Sequence, residues 1–176
     1  VDQAHRLRRI EAGLLQVVGA VQQRVPAGLR SERADGGVTL FDADGELWFG
    51  SGPRSDTAAV REIAGTLKVK ITALELVDPR WYHLDTAFCP LGDGYALAYK
   101  KAFSAESVAT IQNKLGEKVI WISYEDALNF ACNAICLDHQ VILYRASTEL
   151  KAALKRYNFT VIEIDVSEFM KSGGSC

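Results

Sequence analysis

Short apolar runs and capped amphipathic stretches alternate along this chain, and from residue 36 onward the alternation repeats three times. In the first unit, β-like runs at 38–41 and 46–49 flank the polar turn Asp42-Ala-Asp-Gly45; a helical stretch follows at about 55–66, then a strand at 69–77. In the second, runs at 86–91 and 95–99 meet across Asp93-Gly94, a helix covers about 104–115 before Gly116, and a strand follows at 118–122. In the third, runs at 134–137 and 141–144 flank Asp138-His139, a helix covers about 147–157, and a strand follows at 159–164. A short polar pair between β-branched or aromatic runs predicts a hairpin. Ser55, Ser104 and Ser147 stand at the helix starts, where a hydroxyl can accept from the free N–H groups of the first turn. Equivalent turns, near 44, 93 and 138, are 49 and 45 residues apart. The prediction is ββαβ three times over, a period typical of propeller-like arrays in which each unit buries its apolar face against a neighbour.

The first 34 residues follow a different rule. Leu7, Ile10, Leu14, Val17, Val18 and Val21 recur at helical spacing, which predicts an amphipathic helix over about 4–24, ended before Pro26. Six arginines against three acidic residues in 1–33 make it basic. Such a segment suits a docking helix, and an organelle-targeting segment has a similar look; the Val start suggests a mature or trimmed chain. The expected division is therefore a helix and linker over 1–34 and a repeat domain over 35–176.

Composition adds exclusions. With 176 residues, 48% hydrophobic and 24% charged, the chain can bury one core. A net charge of −2 gives no case for a nucleic-acid partner. No apolar run approaches the roughly 18–20 residues that span a bilayer, so membrane insertion is not expected. Four scattered cysteines predict reduced thiols in an intracellular, cytoplasmic or mitochondrial, setting. Cys132 and Cys136 are four apart, but the chain has only three histidines, so no metal site is expected. Helical spacing could put both thiols on one face for redox work, against which stand their apolar surroundings.

Candidate chemistry lies in the loops that leave the third strand of each unit, at 78–85, 123–129 and 166–176. In a ring of such units these loops gather at one end. His83, in Trp81-Tyr-His-Leu-Asp-Thr86, and Cys176, closing Lys171-Ser-Gly-Gly-Ser-Cys176, then occupy equivalent loops two units apart. A cysteine attacks as thiolate, which a histidine stabilises as an ion pair before protonating the leaving group; a carboxylate orients the imidazole. Each residue also has a plainer reading: Cys176 as a terminal thiol, His83 as a packed core histidine, and Asp35 in Asp35-Gly-Gly37 as a turn residue. Arg54 in Ser51-Gly-Pro-Arg-Ser55 is a surface arginine or a bidentate carboxylate clamp.

Taken together and in order, Asp35-Gly-Gly37, Arg54, the run Asp78-Pro-Arg-Trp-Tyr-His-Leu-Asp-Thr-Ala-Phe-Cys-Pro-Leu-Gly-Asp-Gly94, Phe130-Ala-Cys-Asn-Ala134 and the terminal Lys171-Ser-Gly-Gly-Ser-Cys176 resemble the guanidine-modifying amidinotransferase superfamily, nearest to dimethylarginine dimethylaminohydrolase-like proteins. The resemblance covers about 35–176. It implies an α/β fold, the five-bladed pentein propeller of ββαβ units, of which this chain offers about three plus the N-terminal helix. It implies an amidinohydrolase or amidinotransferase that acts on an arginine-like guanidine through a covalent amidino-thioether, with no cofactor and no metal. By position, Cys176 would be the nucleophile, His83 the general acid/base, Asp35 the carboxylate partner of His83, Arg54 a ligand of the substrate carboxylate, and Asp85 a contact of the guanidinium. Val38 departs from the acidic residue usual after the two glycines, and the closing strand usual after the cysteine is not in the chain. Completion by a protein partner, by self-association or by further parts of the same protein is expected for an open propeller. The alternative is a non-catalytic truncated pentein serving as a structural subunit of a larger assembly.

Overall fold

In a computed structural model of the protein, residues 39–42 and 44–175 are described. The expected helix over 4–24 and the candidates Asp35 and Cys176 fall outside them. Among the described residues, nine strands form three separate three-stranded sheets, ordered β1-β2-β3, β4-β5-β6 and β7-β8-β9. β1 (Thr39–Phe41) and β2 (Leu47–Ser51) are antiparallel, α1 (Ala58–Leu67) crosses over, and β3 (Ile71–Glu75) returns parallel to β2. The pattern recurs in β4 (Phe88–Pro90), β5 (Ala96–Ala98), α2 (Ala105–Leu115) and β6 (Val119–Trp121), with the same hairpin and parallel return. After α3 (Tyr124–Leu128) it recurs once more in β7 (Ile135–Leu137), β8 (Gln140–Leu143), α4 (Thr148–Arg156) and β9 (Thr160–Glu163), with α5 (Ser167–Met170) last. The three expected ββαβ units are present; a closed ring is not among the described residues.

The turns form for the reason their residues suggested. Asp138 and His139 both have positive φ, 45° and 64°, as do Asp93 and Gly94 at 56° and 75°. These left-handed pairs match the twist of the flanking strands. Two of the three expected helix caps also form: Ser104 Oγ accepts from Ser107 N and Ser147 Oγ from Leu150 N. Ser55 does not cap. α1 starts later, after Thr57, and Asp56 supplies the local acceptor for the Ala58 N–H at 2.8 Å. Ser55 is occupied instead in a bridge with Gly52, whose N–H reaches the Ser55 carbonyl at 2.9 Å. The segment 123–129, expected as a loop, contains α3, because Ser123 Oγ accepts from Asp126 N and starts a further helical turn. Cys132 and Cys136 share no helix face: Cys132 lies in a turn and Cys136 on β7.

Successive units are joined in two ways. Aromatic rings cross each seam: Trp48 lies 4.8 Å from Phe88 between the first pair, and Tyr95 lies 4.7 Å from Tyr157 between the second. Polar groups then lock the helix starts to the preceding unit. Glu75 N–H donates to Ser107 Oγ at 2.8 Å across the first seam. Across the second, the Asp126 carboxylate, 2% exposed, accepts from Ser123 Oγ, from Ser147 Oγ and from the Ser147 N–H at 2.7, 2.9 and 2.7 Å. One carboxylate thus orients the capping hydroxyls of both α3 and α4. Asp126→Ala removes the acceptor of two hydroxyls, that of exposed Ser123 and that of half-buried Ser147, and of the Ser147 N–H, each bond worth about 0.5–1.5 kcal/mol. We expect that variant to lose about 2–4 kcal/mol of unfolding free energy by urea titration, with Asp126→Asn losing less because its oxygen still accepts.

Candidate functional site

The site is built on the loop that runs from β3 to β4. Asp78 and Arg80 close its first turn: the carboxylate accepts from Arg80 N and from the guanidinium, with the shortest contact 2.6 Å. The Arg80 guanidinium lies over the Trp81 ring at 4.8 Å, and Trp81 in turn packs on Tyr99 at 4.6 Å. The loop is thereby held at a buried tryptophan before it reaches the candidate histidine. It next drops onto the first sheet, where Leu84 is wholly buried. Only glycine fits beneath it: a Cβ on Gly50 would come 2.8 Å from Leu84 Cβ. His83 caps the following 3₁₀ turn (84–86), whose Thr86 hydroxyl donates to the His83 carbonyl at 2.7 Å. The backbone on both sides of the imidazole is therefore fixed.

Tyr82 connects three of the expected participants. Its ring lies 4.6 Å from that of His83, the Arg54 guanidinium stands over it at 5.5 Å, and its hydroxyl donates to the Gly173 carbonyl at 2.6 Å. Gly173 has φ +85°, and a Cβ there would come 2.9 Å from the tyrosine oxygen. The glycine pair expected to permit a close approach does so, with the approach made to Tyr82. A second tie lies one turn further on. Ser175 N–H donates to Asn133 Oδ1 at 2.7 Å, and both residues are buried. The His83 loop and the glycine-led terminal segment, ninety residues apart in sequence (from 83 to 173), are thus joined in space.

Asp85 sits beside this junction. Burial, the largest influence, raises its carboxyl above the ordinary aspartate range. The neighbouring His83 acts the other way, as do the N–H groups of its own turn and the Asn133 amide. Asp85 Oδ1 is buried with no hydrogen-bond partner among the described residues. An acidic oxygen withheld from water and from protein donors is suited to receive a cationic N–H group. Arg54 itself is exposed at the rim. The structure therefore gathers His83, Asp85, Arg54 and the peptides leading to Cys176 at one end of the array; Asp35 and Cys176 themselves lie outside the described residues. Tyr82 and Asn133 were not singled out from sequence. Tyr82 adjoins His83, and Asn133 is an uncharged polar residue within an apolar run, which is the signal of a buried hydrogen-bonding role.

The Cys132 and Cys136 thiols are poor nucleophiles. Burial pushes the Cys132 thiol well above its usual range, and burial also raises that of Cys136.

A histidine loop tied to a glycine-led terminal segment, on repeated ββαβ units, is in keeping with the amidinotransferase superfamily, and comparison with known proteins places the chain there. The chain belongs to the N,N-dimethylarginine dimethylhydrolase family (eukaryotic), whose model matches residues 15–176. The bifunctional arginine dihydrolase/ornithine cyclodeaminase of Nostoc is 40% identical over 159 residues, 89% of this chain but 22% of that protein. The dimethylarginine dimethylaminohydrolase of Mycobacterium tuberculosis is 36% identical over 126 residues, 72% of this chain and 41% of its own length. Among solved structures, the N-terminal domain of a cyanobacterial arginine dihydrolase bound to its substrate superposes with a TM-score of 0.77 at 42% identity, covering 79% of this chain and 52% of that one. The same domain has been captured covalently bonded to a reaction intermediate. The dimethylarginine dimethylaminohydrolase of Pseudomonas aeruginosa shares the fold, with a TM-score of 0.66 at 22% identity, over 93% of this chain and 63% of that one. The chain thus spans between about a fifth and a half of the length of curated relatives it matches.

Proposed function

We propose that this chain carries the nucleophile-bearing part of a hydrolase for arginine-type guanidines. The observation that supports this best is the hydrogen bond from Tyr82, in the loop of His83, to the Gly173 carbonyl in the segment that leads to Cys176. A thiol and an imidazole on joined segments suit one chemistry. Cys176 attacks the guanidino carbon as thiolate and forms a C–S bond, giving a tetrahedral centre. The centre collapses by breaking a C–N bond; the departing nitrogen takes a proton from His83 and leaves as an amine or ammonia. The remaining amidino-thioether is then attacked by water, whose proton passes to His83, and the C–S bond breaks to return the thiolate. Asp35 supports the charged imidazole, Asp85 faces the guanidinium, and Arg54 holds the substrate carboxylate. No step calls for a redox partner.

Relatives act on arginine or dimethylarginine, and this chain takes a substrate of the same class. Further pentein units, from the same polypeptide or another chain, complete the cavity. The test is to incubate the complete protein with arginine and with methylated arginines and to follow release of ammonia or methylamines. Formation of a carbonyl product from one of them is expected. Absence of release with every one of them, from folded protein, would contradict the reading.

Tyr82→Phe offers a local check. It keeps the ring under Arg54 but removes the bond to the Gly173 carbonyl, worth about 0.5–1.5 kcal/mol. Turnover should fall roughly tenfold, following that bond energy through nucleophile placement, while the thermal midpoint changes by only a few degrees.

A further inference from the structure

Asn133 carries none of the chemical steps above, yet both halves of the site meet on it. It lies between α3 and β7 in the run Ala131-Cys-Asn-Ala-Ile135, and it is 9% exposed. A carboxamide in such surroundings persists where its oxygen and its N–H groups all find partners. The partners here belong to the site. Its Oδ1 accepts from the Ser175 N–H at 2.7 Å, in the peptide immediately before Cys176. Its amide also favours the charged form of the neighbouring Asp85 carboxyl, against the larger effect of burial. Gly174 passes close by, so that a Cβ there would lie 3.8 Å from Asn133 Oδ1. The amide is planar, and its oxygen and nitrogen are a fixed distance apart, so the two contacts cannot shift independently. Aspartate at this place would set a second carboxylate against Asp85, and alanine would join neither partner.

We propose that Asn133 is a positioning residue for guanidine hydrolysis: its carboxamide couples the Asp85 carboxyl to the Ser175 peptide and so fixes the delivery of Cys176 relative to the bound guanidinium. The inference rests on the hydrolase reading above. Asn133 touches neither substrate nor leaving group, and it acts through the two groups it holds. A nucleophile misplaced by about 1 Å loses on the order of 10²-fold in rate, which sets the scale of the expected effect.

The experiment uses the complete protein and four forms: wild type, Asn133→Ala, Asn133→Asp and Asp85→Ala, with the Asn133→Ala/Asp85→Ala pair closing a cycle. Readouts are kcat and KM with the best arginine-type substrate, the rate of Cys176 alkylation by 2-chloroacetamidine followed by peptide mass mapping, and the thermal midpoint. Asn133→Ala should lower kcat roughly 10²-fold with a smaller rise in KM, and should slow Cys176 alkylation at least roughly tenfold. Asn133→Asp, which keeps the volume and the acceptor for Ser175, should retain the wild-type midpoint within a few degrees and still lose activity. In the cycle, the double variant should lose little more than the weaker single, because the residues act as one unit. Wild-type rates in Asn133→Asp, or losses in the double variant that multiply as for independent sites, would overturn the proposal. A wild-type protein that neither turns over a guanidine nor labels at Cys176 would remove the hydrolase reading, and this inference with it.

Discussion

Cys176→Ser abolishes turnover: the complete protein carrying it is expected to lose at least about 10⁴-fold in kcat, as nucleophile replacements do where residues act as a unit. The serine hydroxyl is the same shape but is almost never ionised at neutral pH, so the C–S bond of the first step has no equivalent. Substrate binding should survive, because Arg54 and Asp85 are untouched. The prediction is therefore a large fall in kcat with a dissociation constant for arginine-type ligand within a few-fold of wild type, measured by calorimetry. Cys132→Ser and Cys136→Ser serve as controls. Their thiols are held protonated by burial, so neither change should alter turnover by more than a small factor.

Asp85→Asn should separate function from stability. A neutral amide attracts the guanidinium far less, and loss of a charge-assisted pair in a dry site is expected to lower kcat/KM by about 10²–10³-fold. Stability should move the other way. Burial raises the folded-state carboxyl above its unfolded value, so the folded protein binds that proton more tightly than the unfolded chain does. Its contribution is thus most favourable in acid and is lost as pH rises from the unfolded value, about 3.9, through the higher folded one. Thermal melts at several pH values check the sign. Wild type and Asp85→Asn should lie closest near pH 4, and the variant should gain relative to wild type toward neutrality. A saturating guanidine ligand should narrow the neutral-pH gap, because a bound cation stabilises the ionised carboxylate. An Asp85→Asn variant that is equally active, or whose relative midpoint falls as pH rises, would contradict the assignment.

The repeat was legible because its signals are local. Asp93-Gly94 and Asp138-His139 adopt left-handed turns whose residue types tolerate them, and Ser104 and Ser147 cap helices from one position away. Ser55 misled for a local reason too. Asp56 lies next to it and supplies the acceptor at the helix start, while the Ser55 backbone joins the Gly52 bridge. Less legible were contacts between distant segments. Nothing near Asp126 in sequence says that its carboxylate will serve a second helix start at Ser147. Nothing near Asn133 says that its oxygen will hold the peptide of Ser175. The expected convergence of two loops was correct at the level of segments. Tyr82, which fastens them, and Asn133, which holds the terminal segment, depend on three-dimensional partners and could be identified only once those partners were in place.

The most direct measurement is where, and how fast, 2-chloroacetamidine attaches to the complete protein, read by intact mass and peptide mapping in wild type and in His83→Ala. If the loop at 78–85 and the terminal segment form one catalytic centre, a single adduct forms on Cys176 and its rate collapses when the imidazole is removed. Labelling confined to Cys89 or Cys136, or a Cys176 rate indifferent to His83, would mean that the two segments touch without sharing chemistry.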